Sequence, residues 1–162
     1  RYRTDVPTMA DCAAAIEACL AEQFGDHVPR PLIEPGRAVV AAAGVIRSEV
    51  VLVARKSADD EHRWVYLDIG RYNGLAETEA EMITYRLASA VPGPDGPVVL
   101  AGPTCDGDDV IYQRTPYRLP LALASGDHVD ILSAGAYTAS YSSVSFNGFA
   151  PLPTYVIRTI RD

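Results

Sequence analysis

Lysine is almost absent: of fourteen basic residues, thirteen are arginine and Lys56 stands alone. Any chemistry that needs a buried, covalently reactive amine must use Lys56 or a different stretch of polypeptide. Basic clusters are missing too, and with a formal net charge of −7 no nucleic-acid partner is expected, because phosphate-backbone binding needs grouped Lys and Arg. No apolar run approaches the ~18 to 20 residues of a membrane span, and no basic segment followed by an apolar one opens the chain. A cytoplasmic protein with no membrane partner is the expectation. The three cysteines are odd in number, and Cys12 and Cys19, on one predicted helix, would lie ~10 Å apart, beyond the ~7 Å Cα limit of a disulfide. No disulfide framework follows, and both thiols are expected in an apolar core. His27, His62 and His128 fall in three separate polar turns, which argues against zinc.

What is present suffices for one ordinary domain, or a small domain plus part of another: 162 residues, 48% of them hydrophobic. The chain starts at Arg1 rather than Met, and a fragment of a longer protein is expected. Thr8 and Asp11 form a T-x-x-D cap, and Met9, Cys12, Ala13, Ile16, Cys19, Leu20 and Phe24 recur at helical spacing until Gly25. The pattern predicts a helix over 9–24, then a very short strand at Leu32-Ile33 leading into Glu34-Pro-Gly-Arg37. Ala38 to Gly44 reads as a short helix or a strand entrance. Beyond it β-branched residues dominate, and seven strands are predicted: 45–55, 63–69, 97–101, 110–114, 128–132, 137–145 and 154–159. Turn-rich stretches separate them, which favours an antiparallel sandwich or barrel. The expected division is a helix-and-strand remnant over 1–43 and an all-β domain over 44–162.

The stretch Gly102-Pro-Thr-Cys-Asp-Gly-Asp-Asp109 sets Cys105 among carboxylates at the end of a predicted strand, as a loop presenting a thiol would. It is not an EF-hand, because the twelfth residue counted from Asp106 is Tyr117 rather than Glu. Glu34 and Arg37 flank a turn: the plain reading is a surface ion pair, the functional one a carboxylate aimed into a site and a guanidinium forked onto an anion. Gly70 to Gly74 lacks the spacing of a phosphate-binding loop. Ser133-Ala-Gly-Ala-Tyr137 lacks a nucleophile elbow, and Tyr137 by itself reads as a strand residue.

In order, Glu34-Pro-Gly-Arg37, Gly102-Pro-Thr-Cys-Asp106, Gly135-Ala-Tyr137 and Phe146-Asn-Gly-Phe149 strongly resemble the C-terminal part of the pyridoxal-phosphate-dependent ornithine, diaminopimelate and arginine decarboxylases. The resemblance covers essentially the whole chain and is closest to the ornithine/lysine branch. It implies a mainly β fold: the C-terminal β-sandwich or barrel domain of an alanine-racemase-like enzyme, preceded by the last helix and strand of a truncated (β/α)8 barrel. It implies pyridoxal 5'-phosphate as cofactor, with Glu34 at the pyridine nitrogen and Gly36, Arg37 and the Tyr137 hydroxyl at the phosphate. It implies a homodimer with shared active sites. There Cys105 would deliver a proton to the α-carbon in the neighbouring subunit, and Asp106 would bind the distal ammonium of a cationic amino acid. Phe146 and Asn147 would line the pocket, and Glu81 would supply a second acidic contact. Cys105-Asp-Gly107 replaces the Cys-Glu-Ser of the diaminopimelate enzymes, which favours ornithine or lysine.

The family's Schiff-base lysine and glycine-rich phosphate loop lie in a barrel segment that this sequence does not contain, and Lys56 does not match that lysine. The expectation is a chain inactive alone and completed by the missing barrel. The alternatives are a non-catalytic, dimerising relative and a generic β-barrel binding module, the latter of which leaves four ordered motifs unexplained.

Overall fold

The computed structural model describes residues 6–158, which divide into two compact units on either side of the Glu34–Pro35 bond. In the first, helix α1 spans Met9–Phe24. Thr8 and Asp11 close a capping box, the Thr8 hydroxyl accepting from the Asp11 N–H and the Asp11 carboxylate accepting from the Thr8 N–H, and Gly25 ends the helix at φ 56°. No α1 residue is buried, so Cys12 and Cys19, expected in a core, are exposed thiols. An amphipathic stripe fixes which face is apolar but cannot by itself supply what covers it. The strand expected at Leu32-Ile33 does not form. Both residues are exposed, and a strand needs a hydrogen-bonding neighbour, which none of the described residues supplies.

The second unit begins with a single helical turn, α2, Arg37–Val40, continued as a 3-10 turn to Ala43. Six strands follow: β1 Val45–Ala54, β2 Arg63–Leu67, β3 Arg86–Ala88, β4 Asp95–Ala101, β5 Val110–Pro120 and β6 His128–Leu132. They form one sheet ordered β3-β6-β1-β2-β4-β5. Neighbours pair antiparallel except β2 and β4, which are parallel; the wholly antiparallel expectation is corrected there. The burial of β2 on both faces fits such a pairing better than an alternating pattern would. By contrast, β1 alternates exposed and buried from Val45 to Val50.

Side chains bring the two sheet edges together into a nearly closed barrel. The buried Tyr112 hydroxyl accepts from the Tyr85 N–H (2.9 Å) and donates to the Ile83 carbonyl (2.8 Å), and the Tyr117 hydroxyl donates to the Tyr85 carbonyl. Side chains of β5 thus satisfy backbone groups of the 83–85 segment that leads into β3 and hold that segment against β5. Leu67, Leu75, Leu100, Ile111, Val129 and Ile131 fill the interior.

Two other expectations are corrected, and one strand went unforeseen. Residues 137–145 form no strand: Tyr137 and Ser145 are left-handed (φ 55° and 56°), and the Thr138 and Ser142 hydroxyls donate to carbonyls four residues back, closing local turns. Residues 154–158 form no strand either, and Tyr155, Val156 and Ile157 are exposed; Thr159 lies outside the described residues. Strand β3, only three residues long, carries too short a pattern to be read in advance.

The 133–137 loop docks on α2 by backbone contact. Gly135 N–H donates to the Ala41 carbonyl (3.0 Å), and Ala134 N–H to that of Gly44 (2.9 Å). A Cβ on Gly135 would lie 2.0 Å from the Val40 carbonyl oxygen. Gly135→Ala is therefore expected to destabilise the unit by about 1 to 3 kcal/mol, read as a lower urea midpoint at unchanged m-value.

Candidate functional site

Two clusters of sequence-predicted residues form within the second unit. The first gathers Gly36, Arg37 and Tyr137. The docked loop carries Tyr137 onto Gly36, where an added Cβ would meet the Tyr137 hydroxyl at 2.7 Å, and the Arg37 guanidinium lies 5.2 Å from the Tyr137 ring centroid. Two residues that sequence reasoning missed complete it. Glu77 accepts a hydrogen bond from Arg37 Nη2 and pairs with it. Tyr85 is 5% exposed, lies beside the guanidinium, and its hydroxyl has no hydrogen-bond partner of good geometry. Glu77 is the main reason the Arg37 pKa is raised, and burial raises that of Tyr85, so both remain proton donors.

Only one of the five N–H donors of Arg37 goes to Glu77, and the Tyr137 hydroxyl has no partner among the described residues. Unspent donors converging beside a glycine suit the phosphate end of a cofactor. No covalent anchor accompanies them in this chain. The ammonium of Lys56 sits 3.3 Å from the Trp64 ring centroid, held by a cation–π contact.

The second cluster surrounds Cys105. Its foundation is Asp109, 2% exposed, which accepts from the Thr104 N–H (3.1 Å), the Thr104 hydroxyl (2.6 Å) and the Arg71 N–H (2.8 Å). Gly70 and Gly102 enclose that carboxylate so closely that a Cβ on either would lie within 2.3 Å of it. With Thr104 fixed, Cys105 follows at φ 53° and is exposed. Asp106 is half-buried and accepts from Tyr72 (3.2 Å) and from the Asp108 N–H (2.8 Å). Phe146 stacks on Tyr72 at 3.9 Å, and Asn147 donates to the Thr104 carbonyl (3.0 Å). Thus Cys105, Asp106, Phe146 and Asn147 share one corner, and Tyr72 joins them without local warning in the sequence. The corner borders an open hollow of about 770 Å³ whose wall includes Val51, Leu52, Trp64, Tyr66 and Cys105.

The acidic run therefore has divided uses: Asp109 is structural, whereas Asp106 retains acceptor capacity at the surface. Glu81, expected at the substrate, is occupied elsewhere in this structure. Its carboxylate accepts from the N–H groups of Gln113 (2.9 Å), Arg114 (2.7 Å) and Thr115 (2.6 Å) along β5. Burial opposes its ionisation, but bonds from Thr115, Arg114 and Gln113 prevail and hold its pKa at about 2. Glu34 is exposed and ends the first unit.

The sequence pattern of the family described as pyridoxal-dependent decarboxylase, C-terminal sheet domain, matches residues 12–135. The lysine/ornithine decarboxylase of Selenomonas ruminantium is 32% identical over 148 residues, covering 90% of this chain and 36% of that protein. A diaminopimelate decarboxylase of Staphylococcus aureus is 32% identical, covering 74% of this chain and 28% of its own length. This chain thus spans about a third of the curated relatives it matches. Among solved structures, the lysine/ornithine decarboxylase of Vibrio vulnificus complexed with cadaverine superposes with a TM-score of 0.76 at 33% identity, over 93% of this chain and 39% of that one.

Asp109→Ala would leave the Thr104 and Arg71 donors without their acceptor, and a loss of about 2 to 4 kcal/mol is expected in urea unfolding. Glu81 sets a pH signature. Its folded pKa of about 2 lies below the ordinary 4.5, so its contribution is fully present above about pH 4.5 and is lost as pH falls toward 2. Unfolding free energy measured across that window should fall with acid in the native chain and fall less steeply in Glu81→Gln.

Proposed function

Because the chain belongs to the pyridoxal-dependent decarboxylases, as their C-terminal sheet domain, we propose that it is the C-terminal part of an enzyme that converts ornithine or lysine to the corresponding diamine. The observation that carries this reading is the Cys105-Asp106 tip: an exposed thiol at φ 53° beside a carboxylate, braced from beneath by Asp109. A loop serving only as a turn has no need of an unpaired thiol at its apex. Residues 1–43 are read as the tail of a barrel that completes the site, and two subunits as a cytoplasmic homodimer that shares it.

In this reading Gly36, Arg37 and Tyr137 hold the phosphate of pyridoxal 5'-phosphate, and Glu34 keeps the pyridine nitrogen protonated. Bound, the cofactor supplies an electron sink when the bond between the α-carbon and the carboxylate breaks and carbon dioxide leaves. The Cys105 thiol of the neighbouring subunit then gives its proton to the α-carbon and recovers one from solvent. Asp106 accepts from the distal ammonium of the substrate, with Phe146 and Asn147 walling its stem. A carboxylate placed for that ammonium discriminates against substrates without one. Glu81 joins the substrate only by giving up part of its hold on β5.

A non-catalytic, dimerising relative is the second reading. Carbon dioxide release separates the two. The 162-residue chain alone is expected to release none from ornithine or lysine, whereas the complete polypeptide releases it; a silent complete polypeptide would favour the second reading. In the complete enzyme, Cys105→Ala should lower turnover and product fidelity while leaving cofactor binding intact. Asp106→Asn should raise KM for ornithine and lysine by about ten-fold or more.

A further inference from the structure

We propose that Glu77 is a built-in competitor for Arg37, which weakens the grip of the Arg37–Tyr137 cluster on a phosphate group and must share or release the arginine when phosphate binds. The inference rests on the phosphate reading above and adds a residue to it. Its basis is the ion pair itself, between side chains only 27% and 22% exposed, so that water screens it incompletely.

An anion seated on the remaining Arg37 donors stands beside the Glu77 carboxylate and meets like charge. The surroundings nonetheless call for an acceptor. The Tyr85 hydroxyl, 5% exposed, lies next to the same guanidinium, which leaves its own proton without an acceptor of good geometry, and the Tyr137 hydroxyl is unspent. Glu77 satisfies neither; an incoming phosphate, with several acceptor oxygens, can satisfy both.

Glu77 is also poorly placed to retreat. It belongs to the 3-10 segment Ala76–Glu81, which ends in two left-handed residues, Ala80 (φ 51°) and Glu81 (φ 60°). That end is pinned by the three hydrogen bonds of Glu81 to β5, and near the other end the buried Thr78 hydroxyl donates to the Leu75 carbonyl (2.7 Å). Glu77 can therefore yield by side-chain rotation more readily than by backbone movement, and its charge stays close to the site. Phosphate affinity is set as a difference between the attraction of Arg37 and the repulsion of Glu77.

The test uses the complete polypeptide, stripped of cofactor and titrated separately with pyridoxal phosphate and with phosphate-free pyridoxal. Binding is read by visible absorbance, and the ratio of the two dissociation constants isolates the phosphate contribution. Glu77→Gln and Glu77→Ala should each raise that ratio in favour of pyridoxal phosphate by about three- to ten-fold, with pyridoxal affinity unchanged. Arg37→Met should collapse it. A ratio unchanged or lowered in both Glu77 variants, with Arg37→Met still collapsing it, overturns the competitor role and leaves the phosphate site standing. A ratio unaltered in Arg37→Met overturns the phosphate reading and this proposal with it.

Discussion

A single buried carboxylate organises the corner on which the chemistry is proposed to depend. Asp109 ties Thr104, on the loop after β4, to Arg71, on the turn after β2. Charge withdrawn from water is costly unless hydrogen bonds replace hydration, and here two backbone N–H groups and one hydroxyl do so. The same arrangement excludes side chains at Gly70 and Gly102. Two loops from neighbouring parallel strands are thus fixed together, and the residue after Thr104 is turned outward at positive φ. Cys105 owes its exposure to a group that never touches it.

The barrel depends on a comparable economy at its seam. Strand β5 ends the sheet: its backbone edge is met by the Glu81 carboxylate, and its own Tyr112 and Tyr117 hydroxyls reach across to the backbone of Ile83 and Tyr85. The segment that supplies Glu81 also supplies Glu77 to Arg37, so closure of the barrel and the electrostatics of the anion cluster share one short stretch of chain. That sharing accounts for a left-handed pair at Ala80 and Glu81, a conformation non-glycine residues rarely take: three bonds from one carboxylate offset its strain.

Much of this was legible in the sequence wherever pattern and local chemistry agree. Thr8, Asp11 and Gly25 mark the ends of α1 because caps act within a few residues, and β1, β2 and β6 follow runs of β-branched residues. Legibility failed where the deciding partner is distant. Cys12 and Cys19 lie on an apolar face that α1 alone leaves uncovered. The 137–145 stretch has strand-forming composition but spends its hydroxyls on local turns. At the site, Cys105 and Asp106 stood out as neighbours in an acidic loop. The buried duty of Asp109 could not be separated from them, since its glycine contacts come from two different loops. Glu77 and Tyr85 gave no sign at all, because nothing about an isolated Glu or Tyr announces that a guanidinium distant in sequence will lie against it.

The chain holds one tryptophan, and its position has an optical consequence. Trp64 lines the same open hollow as Cys105 and lies under the ammonium of Lys56. Its emission therefore reports on one surface alone, with no second indole to average over. Whatever settles over that hollow would change the polarity around the ring or displace the ammonium, and either change would register as a shift in wavelength or intensity without any label.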